Sequence, residues 1–171
     1  MKKRLPLQSF RLQNFKAVRD SGTVRFGPLT VFIGNNGSGK SSLIEGLETF
    51  LDIILNGLDK AMNRWRGFEH VWNHAVKHEF RHLPDHRPHH TNSMSFRARL
   101  SMEPYRLSAK QDINIGEGGN ELFIQQEQAI RRSGGHTERI TRDALNERNR
   151  DGQSILKDML EHSLERWQSS L

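Results

Sequence analysis

The chain has 171 residues, 34% of them hydrophobic, which allows one domain with one sizeable core and excludes two full ones. With 26 Lys and Arg residues against 20 Asp and Glu residues, the formal net charge is +6 at pH 7, and this favours a nucleic acid or nucleotide phosphates as partner. The absence of cysteine excludes disulfide scaffolds, thiolate metal sites and cysteine nucleophiles.

The amino-terminal region predicts three short strands. Polar and apolar residues alternate over 9–18 and over 23–26, as in half-buried strands. After a Gly27-Pro28 turn, the apolar run 29–33 is typical of a strand in the middle of a sheet that is covered on both faces.

An amphipathic helix is predicted over 41–55, because its apolar residues recur every three or four positions, and Asn56-Gly57 ends it. The polar stretch 59–92 predicts a helix followed by a loop. Alternation further on predicts antiparallel strands over 93–100, 105–115 and 121–130. Helical spacing returns over 153–171.

The sequence GNNGSGKS, from Gly34 to Ser41, matches the phosphate-binding pattern G-x-x-x-x-G-K-[ST] between a predicted strand and a predicted helix. Glycine-rich backbone can approach a phosphate closely, and the positive end of the following helix adds to the field. We expect Lys40 to contact the β- and γ-phosphate oxygens of ATP and the Ser41 hydroxyl to coordinate Mg²⁺. The predicted nucleotide contacts in this loop are Asn35, Asn36, Gly37, Ser38, Gly39, Lys40, Ser41 and Ser42.

The order of Asn14-Phe15-Lys16, the segment FGPLTV over 26–31 and the segment IGNNGSGKSSL over 33–43 resembles the amino-terminal lobe of RecF/SMC-type ATPases. It is most similar to the AAA-family ATPases that are grouped with RecF and the OLD-type nucleases, a branch of the ABC-type ATPases. The resemblance implies an α/β P-loop NTPase lobe with a mixed sheet and an antiparallel β subdomain. It also implies that Lys16 is an additional phosphate contact, that DNA is a binding partner and that the protein forms a dimer.

On this interpretation the chain is one partial ATPase domain. Residues 1–58 form the P-loop core, 59–92 a helical or irregular polar insert, 93–142 an antiparallel β region and 143–171 a carboxy-terminal helix. No aliphatic run followed by Asp-Glu comes after the P-loop, so a Walker B strand is absent from this sequence. We therefore expect a fragment, or a second polypeptide that supplies the remaining lobe.

Ser133-Gly134-Gly135-His136 has two interpretations. It resembles the signature motif that completes a partner's ATP site in this family. It also suits a hairpin turn between 122–132 and 136–141, and we favour the hairpin because glycine pairs between alternating runs commonly form turns. The glutamines at 125, 126 and 128 lie where a glutamine that senses metal and water could fall. We assign none of them, because polar residues on an exposed strand face are commoner.

Three further groups of residues have both a functional and a structural interpretation. Seven of the nine histidines lie between His70 and His90, and four of them are spaced four residues apart: His70, His74, His78 and His82. On a helix, two histidines at this spacing could bind a metal ion. We favour the alternative, in which these histidines form a solvated helix face. Basic residues that could contact DNA fall into two groups: Arg81, Arg87, Arg97 and Arg99, and Arg131, Arg132, Arg139, Arg142, Arg148 and Arg150. The three tryptophans, Trp65, Trp72 and Trp167, are expected to be packing residues.

Three functions follow as hypotheses. The first is an ATP-binding lobe that hydrolyses ATP to ADP and phosphate only when a Walker B lobe completes it, in DNA repair, DNA maintenance or phage defence. The second is a nucleic-acid-binding or regulatory protein with a non-hydrolysing P-loop, and the third is a truncated remnant. With no apolar run of 18–20 residues and no signal-peptide pattern, we expect a cytoplasmic protein.

Overall fold

The computed structural model describes residues 6–76, 80–82, 88–90, 92–115, 122–143 and 153–169. The helices are α1 (Lys40–Asn56), α2 (Leu58–Arg64) and α3 (Leu156–Ser169), and a 3₁₀ helix spans Phe68–His70. The strands are β1 (Leu7–Phe15), β2 (Val18–Asp20), β3 (Val24–Arg25), β4 (Phe80–His82), β5 (Pro88–His90), β6 (Met94–Met102), β7 (Tyr105–Ile115), β8 (Leu122–Ser133) and β9 (His136–Asp143). Within these residues no helix is long and apolar enough to cross a membrane.

The fold is α/β, and its main sheet is antiparallel. The strand order is β2-β1-β6-β7-β8-β9, with β3 also paired to β1, and β4 and β5 form a separate two-stranded sheet. Every pairing among the described strands is antiparallel, so the expectation of a mixed sheet is wrong for this part of the chain. Even β1 and β6, which are joined by the long connection that contains α1 and α2, pair in the antiparallel direction.

The core lies between one face of this sheet and the helices. Phe10 of β1 packs on Phe50 of α1 with ring centroids 6.0 Å apart, and Phe50 packs on Phe96 of β6 at 5.7 Å. All three rings are buried. Gly46 of α1 lies against Leu12 of β1 so closely that a Cβ on Gly46 would stand 2.4 Å from Leu12 Cδ2. The helix layer therefore approaches the sheet at the position where α1 has no side chain.

The segment 29–33 departs from its prediction. It lies outside the described strands, and the side chains of Leu29, Val31 and Ile33 are 84%, 67% and 91% exposed. An apolar run of this kind forms a buried strand only when neighbouring strands and covering layers are present on both sides. In the described structure β1 pairs directly with β6 in the main sheet, and no strand pairs with 29–33.

Several local predictions are confirmed. The predicted strand 105–115 is β7, and α1 ends at Gly57, whose N–H bonds to the Ile53 carbonyl oxygen. Gly134 and Gly135 form the two-residue turn between β8 and β9 with φ of 53° and 87°, and Ser133 pairs with His136. The hairpin interpretation of this glycine pair is therefore correct.

The stretch 59–92 is only partly as predicted. A helix is present, but α2 is followed by a 3₁₀ helix and, further on, by the β4 and β5 pair. The helical arrangement of the histidines is wrong: His70 ends the 3₁₀ helix, His74 lies in a turn, and His82 is in β4. His78 lies outside the described residues, as do Arg87, Arg148 and Arg150.

Candidate phosphate-binding site

The glycine-rich loop leads directly into the first turn of α1. Gly37 and Gly39 adopt φ of 81° and 87°, which side-chain-bearing residues rarely adopt. Gly39 is the N-cap residue and provides no side-chain cap, and the first backbone bond of the helix runs from the Leu43 N–H to the Gly39 carbonyl oxygen at 2.9 Å. The amides of residues 40–42 precede that bond, and no acidic side chain lies in the first turn. The helix terminus is therefore electropositive, with amides suited to bind an anion.

Lys40 is folded back over this loop. Its Nζ donates hydrogen bonds to the carbonyl oxygens of Gly34 and Asn35, both at 2.7 Å, and to Ser38 Oγ at 3.2 Å. Asn35, Asn36, Gly37 and Ser38 are exposed. The ammonium group is thus held at the centre of an open loop, at a position where phosphate oxygens can replace carbonyl oxygens as its acceptors.

Two glycines of the loop lie close to neighbouring side chains. A Cβ at Gly34 would stand 2.9 Å from Ser38 Oγ, and a Cβ at Gly39 would stand 3.0 Å from Val18 Cγ2. Val18 begins β2, immediately after the turn at Lys16 and Ala17. This turn and the loop are therefore direct neighbours.

Lys16 is fixed beside α1 by its backbone and by its side chain. Asn14 and Lys16 both have positive φ, 57° and 45°, and the Lys16 N–H bonds to the Val71 carbonyl oxygen at 2.7 Å. Lys16 Nζ lies 2.8 Å from Glu45 Oε2 and 3.5 Å from the centroid of the Trp65 ring. Positive φ at two non-glycine residues is strain that clusters at functional sites.

The two serines that were predicted to contact the nucleotide differ in their exposure to solvent. Ser41 is exposed at the first turn of α1, whereas Ser42 is 8% exposed and faces the core. Glu45 follows Ser41 by one helical turn, so the Lys16 ammonium and the Ser41 hydroxyl are on the same side of α1. The structure therefore places Lys40 and Ser41 in the first turn of α1 and the Lys16 ammonium beside Glu45, one turn further along the helix.

A buried polar cluster around Glu127 of β8 was not predicted from the sequence. Glu127 is fully buried; it accepts hydrogen bonds from Gln111 Nε2 and Ser154 Oγ, both at 2.6 Å, and pairs with Arg142 at 3.1 Å. Gln125, expected on an exposed face, is 8% exposed and accepts a hydrogen bond from Asn114. The alternation of polar residues identified the strand, but both faces of β8 are polar, so it could not identify the buried face.

This cluster fixes α3 and has no place in the phosphate site. The Ile155 N–H bonds to Glu127 Oε2 at 3.0 Å, directly before the helix begins.

Across the described ranges, no group of three or more His, Asp or Glu side chains could hold a metal ion. Trp65 and Trp72 are packing residues as expected: Trp65 packs edge-on to Phe15, and Trp72 is buried against Phe68.

Comparison with known proteins supports the interpretation of this segment. Residues 6–86 match the family model of the AAA ATPase domain. Over 59 residues, 34% of this chain, the sequence is 49% identical to the DNA double-strand break repair Rad50 ATPase of Sulfolobus acidocaldarius. This amino-terminal segment is therefore similar to an AAA ATPase domain and to part of a Rad50 ATPase.

The similarity has a limited extent. The matched stretch covers 6% of the Rad50 ATPase, so the chain spans a small part of that relative. The segment that matches the AAA ATPase domain includes the glycine-rich loop, Lys16 and helices α1 and α2. Strands β6 to β9 and helix α3 lie beyond the matched residues.

Proposed function

We propose that this chain is the ATP-binding lobe of a RecF/SMC-like ATPase and that the glycine-rich loop binds the phosphates of ATP. The observation that carries the proposal is Lys40, whose ammonium is centred on the loop by two backbone carbonyls at 2.7 Å, next to the uncapped first turn of α1. The loop amides and the helix terminus attract the phosphates, and Lys40 neutralises their charge. The Ser41 hydroxyl is an oxygen donor of the kind that Mg²⁺ prefers.

Lys16 is the second cation of this proposed site. It lies on the turn beside Val18, which contacts the loop at Gly39, and its side chain already lies along α1 next to Glu45. Because a carboxylate and a phosphate compete for the same ammonium group, Glu45 holds Lys16 close to α1 until a phosphate is bound. Lys16 then stabilises the charge of the bound nucleotide.

Hydrolysis requires a second lobe in this proposal. A water-orienting group and an acidic residue near Mg²⁺ are needed for turnover, and the sequence has no aliphatic run followed by Asp-Glu. The exposed Leu29, Val31 and Ile33 lie next to the loop, and Ile44, Leu51 and Leu55 of α1 are about half exposed. Exposed apolar residues in such numbers mark an interaction surface, which we assign to the lobe that supplies those groups.

The cellular process in which this chain takes part is proposed from its similarity to SMC/Rad50-type ATPases. An ATPase of the SMC/Rad50 type points to DNA repair, DNA maintenance or phage defence, with DNA as a partner and a dimer as the working form. Nucleic-acid binding is also the second candidate function by itself, and the concentration of arginine on one sheet face favours it.

A binding experiment tests the nucleotide site. The full chain, Lys40→Ala and the control Lys60→Ala, a cation on α2, are titrated with a fluorescent ATP analogue in the presence of Mg²⁺. Loss of the charge-assisted bonds from Lys40 is expected to weaken binding by at least about tenfold, while Lys60→Ala binds as wild type. Equal affinities for wild type and Lys40→Ala, with unchanged circular dichroism, would refute the site.

A further inference from the structure

The two edges of the main sheet differ in length. One edge is formed by β2 and β3, which have three and two residues, and strands this short offer little backbone to a further strand. The other edge is β9, which has eight residues, and among the described residues no strand pairs with its outer side. We propose that β9 is a dimerisation edge, to which β9 of a second copy of this chain adds as an antiparallel strand.

The backbone of β9 is regular and suited to strand addition. Its pairing with β8 extends over the whole of His136–Asp143 in one register, without a bulge. The strand contains neither proline nor glycine, and its residues Thr137, Ile140 and Thr141 are β-branched, a type that favours strands. An edge strand of this kind presents a row of backbone N–H and C=O groups that a further strand can pair with.

A groove of about 750 Å³ lies between β9 and α3. Its apolar lining residues are Ile140, Ile155 and Met159, and polar or charged residues form the rest. Ile140 is on the helix side of the sheet, because Arg142, two residues further along the strand, pairs with the buried Glu127. The groove therefore leaves space beside Ile140 for a side chain from an added strand.

The charge pattern of β9 favours a second copy as the added strand. When a twofold axis normal to the sheet relates two identical antiparallel strands, one residue lies opposite its own copy. A register centred on Glu138, Arg139 or Arg142 places like charges opposite each other, which destabilises the pair. A register centred on Ile140 instead pairs two isoleucines and places Glu138 opposite Arg142 of the second copy.

The Ile140 register is also the longest of those without opposed like charges. It pairs residues 137–143 of the two copies, whereas a register centred on Thr141 pairs only 139–143 and places Ile140 opposite Arg142. In the Ile140 register the two isoleucines meet beside the groove, and the pairing of opposite charges occurs on both sides of them. The sequence of β9 is therefore complementary to itself.

The inference goes beyond the proposed nucleotide site and does not depend on it, since no residue of the glycine-rich loop lies on β9 or lines the groove. Sedimentation velocity of the full chain without nucleotide measures dimerisation against protein concentration. Ile140→Lys places like charges opposite each other and is expected to weaken the dimer by at least about tenfold. Ile44→Lys introduces the same side chain at an exposed position of α1 and is expected to dimerise as wild type. Thermal melting verifies that both variants are folded.

A crosslinking experiment tests the register itself. Because the chain has no cysteine, Ile140→Cys introduces one thiol that lies opposite its own copy, and oxidation with diamide is expected to join most of the protein into disulfide-linked dimers. Thr137→Cys is the matched control on the same strand. Thr137 is opposite Asp143 in this register, so its two copies lie about 20 Å apart and cannot be joined within the dimer.

Three results would overturn the proposal. The first is a wild-type chain that stays monomeric at every concentration, as expected if another segment or a different protein occupies the edge. The second is a dimer that Ile44→Lys weakens as much as Ile140→Lys does, which would place the interface at α1. The third is equal crosslinking of Thr137→Cys and Ile140→Cys, which would exclude the Ile140 register.

Discussion

Lys16 Nζ and Glu45 Oε2 are 2.8 Å apart, and the centroid of the Trp65 ring lies 3.5 Å from the same ammonium group. The pair joins the turn that follows β1 to the helix that begins at the glycine-rich loop. The Trp65 Nε1–H donates to Thr49 Oγ1 at 2.9 Å, so the ring itself is fixed to α1. Lys16 is thereby positioned by Glu45 and Trp65 through its side chain and by Val71 through its backbone.

We predict opposite effects for the two members of this pair. Lys16→Ala is expected to weaken ATP binding by about tenfold, because one charge-assisted bond to phosphate is lost. Glu45→Gln is expected to strengthen binding by about two- to fivefold, since the partly exposed ion pair no longer competes for the ammonium. Titration with a fluorescent ATP analogue measures both. Weaker binding in Glu45→Gln would contradict the competition between carboxylate and phosphate.

Gly46→Ala is expected to destabilise the fold by about 1–2 kcal/mol, although alanine favours helix. The new methyl group would stand 2.4 Å from Leu12 Cδ2, and Leu12 is fully buried, so it has no space to move into. Urea denaturation measures the free energy of unfolding. Glu48→Ala, an exposed change on the same helix, serves as control and is expected to change stability by less than about 0.5 kcal/mol. A Gly46→Ala protein as stable as wild type would disprove the close contact.

Glu127→Ala is expected to cost about 3 kcal/mol, because it leaves the guanidinium of Arg142 buried without its carboxylate. Glu138→Ala is the matched control. It also removes a glutamate paired with an arginine, but the Glu138 side chain is 51% exposed, so a loss below about 1 kcal/mol is expected. Hydrogen exchange is expected to report faster exchange in α3 for Glu127→Ala alone. Similar losses in both variants would contradict the structural role of the buried cluster.

The ion pair between Arg11 and Asp20 predicts a pH dependence. Chiefly through its hydrogen bond, Arg11 lowers the pKa of Asp20 below the ordinary 3.8. A carboxyl whose pKa is lower in the folded state stabilises the fold above its unfolded-state pKa, and this contribution is lost as the pH falls through the folded-state value. Wild type is therefore expected to melt slightly above Asp20→Asn near neutral pH, and the difference in Tm is expected to shrink only below the ordinary pKa of 3.8 and to vanish below the folded-state pKa of Asp20. A difference that grows on acidification would contradict this assignment.

Local patterns were sufficient for the elements whose structure depends on neighbouring residues. The spacing of apolar residues located α1, Gly57 ended it, and the glycine pair at Gly134 and Gly135 formed the expected turn. These features depend on backbone conformation and on one face of one element. A sequence records such information directly.

Features that depend on distant neighbours could not be predicted in the same way. The apolar run 29–33 has the composition of a central strand, but it has no strand beside it in the described structure. Glu127 gives no sign in the sequence of being buried, because its partners Gln111, Arg142 and Ser154 come from other elements. The row of cations on the outer face of the main sheet is likewise visible only when the register places Arg97 between Arg11 and Lys110.

The measurement that tests the central claim most directly is a residue-specific NMR titration of the full chain with ATP and Mg²⁺. Our account predicts amide shifts concentrated at the glycine-rich loop and the first turn of α1, at Gly37, Gly39, Lys40, Ser41 and Ser42, and their loss in Lys40→Ala. Because ATP is itself a polyanion, the arginine-rich outer face of the main sheet, which includes Arg97 and Arg99, is the competing location. Shifts centred on Arg97 and Arg99, or shifts that persist unchanged in Lys40→Ala, would contradict the assignment of the nucleotide site.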